Sequence, residues 1–272
     1  MRPNAGFVFE SMTWRASSDW LNKLGYDQSD AMQEVCTKAI QIMSEVRDEF
    51  PNLAGKHGVL SGNIGPRGDG YVASNVMTPQ EAKAYHLPQV LAFQKAGADM
   101  VMAATLNYID EGIGIVLAAK EVGIPVVLSY SLETDGCLLT GESMEKIIRD
   151  IDAATDNYCA YYMINCAHPT HFVGKLSPAD QEEDEDYEWI SRIGGVRGNA
   201  SKMSHAELDE ALELDEGNPK EFGQDNKNLL ELLPQANVFG GCCGTDIRHV
   251  EAILSTCAAS FQERKQKEFP QQ

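Results

Sequence analysis

Short apolar runs alternate with longer amphipathic stretches along most of the chain. GFVFES, from Gly6 to Ser11, reads as a strand, and Ser29 to Phe50 carries apolar residues at helical spacing behind a serine cap. HGVLSGNIGP reads as a strand ending in a glycine-rich loop, and Thr78, Pro79 and Glu81 then stand in capping order before a helix that runs to Gly97. The alternation continues with a strand at 98–105, a helix at 109–123 closed by Gly123, a strand at 125–131 and a helix at 142–155. AYYMIN is a strand running into CAHPTHF, and IGGVRGNAS contains a further short strand. An acidic loop comes next, followed by a helix in NKNLLELLPQ, a strand in NVFGG and a last helix from Thr245 to Gln266.

Strands that alternate with helices pair in parallel through right-handed crossovers. The pattern holds seven strand–helix units, one short of a closed (β/α)8 barrel. The expected fold is therefore an α/β TIM-type barrel, incomplete, forming one domain over 1–272 with an acidic loop insertion at about 175–225. A doubly wound open sheet is the competing reading. No G-x-G-x-x-G follows a strand, which removes its usual support.

Charge narrows the partners. Lys and Arg number 22 against 41 Asp and Glu, a formal net charge of −19, and no basic stripe suits a phosphate backbone, so nucleic acid is not expected. The acid is concentrated in SPADQEEDEDYE (Ser177 to Glu188) and ELDEALELDEGNPKE (Glu207 to Glu221), both read as solvated segments. No apolar run reaches membrane-spanning length, and the start of the chain lacks the pattern of a secretory signal; a cytoplasmic protein without a membrane partner is expected. Seven cysteines scattered along such a chain favour reduced thiols over a disulfide framework.

The cysteines supply the candidate chemistry. Cys242 and Cys243 stand in NVFGGCCGTD, and neighbours in a strand point to opposite faces, so both can reach one target only where the strand has ended and the backbone turns. Gly240, Gly241 and Gly244 provide the freedom, with Thr245 or Asp246 capping the next helix. Cys166 follows AYYMIN in the same way. In a barrel such loops share the catalytic rim, where three thiolates would leave one exchangeable corner on Zn²⁺. Spacing alone leaves ordinary buried thiols open, and Cys36, Cys137, Cys159 and Cys257 are read as small buried hydrophobes.

GGCCGTD with His249 to Ile253 downstream, and INC closing an earlier strand, resemble the homocysteine S-methyltransferase family. FVFESMTWRAS, SGNIGPRGDGY, KAGADMVMAAT, VVLSYSLETDG and INCAHPTHF occur in family order. The resemblance implies a (β/α)8 barrel whose zinc cysteines match Cys166, Cys242 and Cys243. It implies methyl transfer from a small onium donor, S-methylmethionine preferred, to the thiol of homocysteine, with the substrate thiolate as nucleophile and the cysteines as ligands only. Two departures stand out. The family's opening Asp-Gly-Gly motif has no counterpart, so the first strand–helix unit is missing, and Ala104-Thr105 stands where the family often has Glu-Thr. Glu10 or Glu133 is read as compensating, and Asn165 and Asn199 as contacts for the amino acid's polar groups. Trp14, Tyr130 and Tyr162 are candidates for facing a cationic donor, with packing as the alternative. His168 and His171 form a Cys-x-His-x-x-His spacing, read chiefly as a hydrogen bond from His168 to the ligand shell. Arg67, in the glycine-rich loop, is a candidate for an anionic group. The partners implied are a small-molecule thiol and a methyl donor, with self-association through an edge left at the gap. The rival reading is a non-catalytic zinc-binding barrel remnant with a regulatory or interaction role.

Overall fold

The computed structural model describes residues 5–26, 28–50, 58–176 and 187–268. Its elements run β1 (Phe7–Glu10), α1 (Ser18–Lys23), α2 (Ala31–Glu49), β2 (Gly58–Ile64), α3 (Pro79–Lys95), β3 (Met100–Leu106), α4 (Ile109–Val122) and β4 (Val126–Ser131). They continue with α5 (Met144–Thr155), β5 (Tyr161–Asn165), α6 (Pro169–Phe172), β6 (Ile193–Gly198), α7 (His205–Glu210), α8 (Pro219–Leu232), β7 (Val238–Gly241) and α9 (Ile247–Glu268). Single 3-10 turns cover Val173–Leu176 and Tyr187–Arg192.

The strands stand in the sheet in the order in which they occur in sequence, β1 to β7, and pair in parallel. A doubly wound sheet reverses its strand order at a switch point. The sequential order excludes that reading and matches the incomplete TIM-type barrel. β3 and β4 are buried at every position, as parallel strands covered by helices on one side and a core on the other must be.

The residues that start and stop helices act as their chemistry requires. Thr78 accepts the Glu81 N–H at 3.3 Å while Glu81 accepts the Thr78 N–H at 2.8 Å, and Pro79 fills the first turn. Gly123 closes α4 in the left-handed region, at φ 77°.

The acidic stretch is the main departure. Residues 177–186 lie outside the described residues, as does His57 of the expected second strand. From Tyr187 onward the stretch contains a 3-10 turn, β6, α7 and the start of α8, with irregular chain at 199–204 and 211–218. Ser204 and Glu207 form a capping box that starts α7. Asn218 accepts the Lys220 N–H at 3.0 Å and opens α8 ahead of Asn226, with Pro219 in its first turn. The carboxylates of 207–221 stay at the surface, as expected, while capping orders the backbone that carries them.

The described chain forms two compact units: residues up to Ser129 with 150–160, and 130–149 with the residues from Tyr161 onward. The first unit packs α2 against α3 and α3 against α4. Between these helices His86 and Glu111 pair at 2.9 Å with both side chains fully buried. The second unit packs α8 against α9 around Phe222, Leu230, Ile253 and Cys257, with Phe239 and Phe261 at its margin. No helix among the described residues is long and apolar enough to cross a membrane.

Candidate metal centre

Cys166 and the vicinal pair meet in the second unit because β6 lies between the strands that carry them. Asn165 of β5 is in register with Arg197 of β6, and Arg197 with Gly240 of β7. Each cysteine loop is then fastened to the end of β6. The Cys166 N–H donates to the Arg197 carbonyl at 3.1 Å, and the Cys242 N–H donates to the Gly198 carbonyl at 2.8 Å. The Asn199 N–H returns to Ala167 at 3.1 Å and the Ala200 N–H to Cys243 at 3.0 Å, so the chain leaving β6 stitches both loops together.

The turn that follows β7 explains how neighbouring cysteines converge. Gly244 takes φ 73°, and an added Cβ would stand 2.6 Å from the Asp215 carbonyl oxygen. Gly241 lies directly against Thr245, whose hydroxyl donates to the Cys242 carbonyl at 2.7 Å. Gly240 and Gly241 stay in the strand, so of the three expected glycines Gly244 is the one that takes the left-handed turn. Asp246 accepts the Arg248 N–H at 2.9 Å at the start of α9. His249, fully buried, bonds the Glu216 carbonyl at 2.9 Å and holds the preceding segment against the loop.

One ligand atom from each of Cys166, Cys242 and Cys243 lies within 4.8 Å of the others, the group of that kind found among the described residues. Cys166 is buried, Cys242 intermediate and Cys243 exposed. The Cys166 and Cys243 sulfurs are 3.8 Å apart, and Cys166 is joined to Cys242 as a disulfide with Cα atoms 5.5 Å apart. The expectation of reduced thiols therefore holds for the other five cysteines and not for this pair. Cys36, Cys159 and Cys257 are buried as expected, and burial pushes the Cys36 thiol up to about 12 and that of Cys257 up to about 11. Cys137 departs from that reading: it is half-buried, in a bridge to Ser143.

The remaining candidates divide. Glu133 accepts from or shares a proton with His205 Nδ1 at 3.0 Å, and His205 Nε2 contacts the Cys166 carbonyl at 2.7 Å. Asn165 is buried at the end of β5. Asn199 is buried too, its side-chain oxygen taken by the Ser201 N–H at 3.1 Å. Glu10 closes β1 in the first unit, in register with Ser61. Tyr130 and Tyr162 are fully buried core side chains, and the Arg192 guanidinium lies over the Tyr162 ring. In the first unit Trp14 donates to the Ala104 carbonyl at 2.9 Å. The Arg67 N–H donates to Glu111 at 2.7 Å, and the Arg67 guanidinium lies over the Tyr85 ring.

His168 does not turn to the cysteines. Its Nδ1 accepts the Thr170 N–H at 3.2 Å and caps α6, and burial holds its pKa down at about 4. His171 bonds the Lys202 carbonyl. Neither joins the sulfur group. The residue missed in sequence is His205, whose signal was the Ser204–Glu207 capping box that places it at the first position of α7.

The homocysteine S-methyltransferase family profile matches residues 5–257. The chain belongs to the homocysteine S-methyltransferase family. Among solved structures, the homocysteine methyltransferase MmuM from Escherichia coli is similar in three forms. The metallated form gives a TM-score of 0.70 at 15% identity, over 91% of this chain and 78% of that one. The oxidized form gives 0.69 at 17% identity with the same coverage, and the apo form 0.65 at 14% over 92% and 79%. At these identities the likeness establishes the fold. No curated protein is significantly similar in sequence. The sulfur trio sits on the loops that β6 ties together.

Proposed function

We propose that this chain transfers a methyl group from a small onium donor, S-methylmethionine preferred, to the thiol of homocysteine, giving methionine, and that Cys166, Cys242 and Cys243 hold a zinc ion for the purpose. The observation that carries this reading is the convergence of three sulfurs from two distant loops in a chain of this family.

The donor set suits zinc. With Zn–S bonds of about 2.3 Å, the edge of a tetrahedron is about 3.8 Å, and Cys166 and Cys243 stand 3.8 Å apart. Bound there, zinc would supply a lowered pKa for the incoming thiol, which otherwise stays mostly protonated at neutral pH. The three cysteines contribute three negative charges when ionised, and this electron-rich set favours a nucleophilic substrate thiolate over activated water. Cys166 is sheltered and Cys243 open, so solvent and substrate reach the centre from the side of Cys243. The Cys166–Cys242 bond must be reduced first, because a sulfur held in a disulfide has no thiolate to offer. The chain's other contribution is positioning: the loops fastened to β6 bring the thiols to one point before any ligand arrives.

Asn165, Asn199 and Glu133 are the candidates in this unit for the polar end of the amino acid; the Asn199 side-chain oxygen takes the Ser201 N–H, and one Glu133 oxygen meets His205.

Reduced protein should carry about one zinc per chain and methylate homocysteine with S-methylmethionine. Cys242→Ala should lose both. Full transfer by that variant would sink the mechanism. Ala104, in place of the carboxylate that the family resemblance leads one to expect, favours the second reading, a zinc-binding protein without transfer activity. Stoichiometric zinc with no methyl transfer from any onium or folate donor would establish it.

A further inference from the structure

We propose that His205, oriented by Glu133, is a positioning residue that holds Cys166 in its ligand conformation; the inference rests on the zinc reading above. Cys166 sits at φ 52°, in the left-handed region, as a residue with a side chain. Such a conformation persists when its surroundings over-determine it. Here both sides of the residue are fixed. Its N–H is bound by Arg197 at 3.1 Å, and its carbonyl oxygen lies 2.7 Å from His205 Nε2. With the second bond removed, the backbone of Cys166 is free to relax toward the extended region, which carries its sulfur away from Cys242 and Cys243.

His205 is itself held in place. Its Nδ1 stands 3.0 Å from the Glu133 carboxylate, and the Ser131 hydroxyl lies 3.4 Å from Nε2. The capping box at Ser204 and Glu207 fixes the start of α7 and with it the ring. One ring nitrogen faces a carboxylate and the other a carbonyl. Glu133 comes from the chain after β4, Cys166 from the chain after β5 and His205 from the chain after β6. The contact thus ties three strand ends to one ligand. His205 touches no reacting atom. Its effect passes through the peptide of Cys166.

The test measures zinc affinity by chelator competition in the reduced full chain, with cobalt(II) in place of zinc to read the thiolate-to-metal absorption band. Wild type is compared with His205→Ala, His205→Gln and Glu133→Ala, each checked for fold by circular dichroism. His205→Ala should weaken zinc roughly ten- to hundredfold, the usual size of effect for a group that orients a metal ligand, and should lower the cobalt–thiolate band. His205→Gln should retain the wild-type affinity, because a glutamine amide can donate from the place of Nε2. Glu133→Ala should fall between. Unchanged affinity in His205→Ala overturns the inference and leaves the zinc reading intact. So does His205→Gln falling as far as His205→Ala. Should His205→Ala fail to fold, wild-type affinity in Glu133→Ala overturns it instead. Wild-type protein that takes up no zinc overturns both readings, which separates the two failures.

Discussion

Two histidine–carboxylate pairs that fasten loops, one taken from each unit, differ in their access to water. In the first, His86 and Glu111 are both fully buried, and the carboxylate oxygen that meets His86 also takes the Arg67 N–H from the loop after β2. In the second, His205 and Glu133 retain 14% and 28% exposure beside a candidate metal ligand. A buried pair has given up its hydration and depends on its partner, whereas a half-exposed pair can exchange that partner for water. The same chemistry therefore acts as scaffold in one place and as fine adjustment in the other.

Glu111→Ala tests the difference at its largest. Removing one member of a buried pair should destabilise the fold by about 3–5 kcal/mol, read as a fall in the denaturation midpoint. Glu133→Ala should cost less than about 1 kcal/mol, the range for exposed pairs. Equal losses in the two variants would mean that Glu133 is scaffold as well. The double variant His86→Ala with Glu111→Ala should lose less than the sum of the single ones, since the two act as one unit.

The contrast extends to thiols. In reduced protein, brief treatment with an alkylating reagent should modify Cys243, which is exposed, and spare Cys36 and Cys257, whose burial raises their thiols to about 12 and about 11. Peptide mass analysis reads the order, and early labelling of Cys36 would contradict the packing of α2.

The smallest effect is expected from acid. The Glu81 carboxyl is held below its ordinary value by the Thr78 N–H and hydroxyl. A carboxyl with a lowered pKa contributes stability above its unfolded value and loses that contribution as pH falls through the folded one. Acidification to below the ordinary glutamate range should loosen the first turn of α3, and Thr78→Ala should blunt that response in amide hydrogen exchange.

Much of the fold was legible because its signals are local. Thr78, Pro79 and Glu81 announced α3, Gly123 announced the end of α4, and apolar runs announced β3 and β4. The start of α7 and the early start of α8 were legible too, in Ser204 with Glu207 and in Asn218 with Pro219. There the density of acidic residues drew attention to solvation rather than to caps. Cys166, Cys242 and Cys243 could be singled out because adjacent cysteines among glycines suit no regular strand. Other features left no local trace. Nothing near Glu133 names His205 as its partner, and nothing in YHLP or IDEG shows that His86 and Glu111 meet in the dry interior. His168 looked like a neighbour of the cysteine group and is the cap of a short helix.

The order of residues determined the alternation of strands and helices, the parallel connection and the three sulfurs worth watching, since periodicity, capping and composition act over a few residues. Tertiary structure decided that β6 would stand between the cysteine loops, that Cys166 would take a left-handed backbone, and that a histidine 39 residues away would contact its carbonyl. Those outcomes depend on which strand ends come to lie side by side. Such pairing is set by burial summed over the whole fold, and no short stretch of chain contains it.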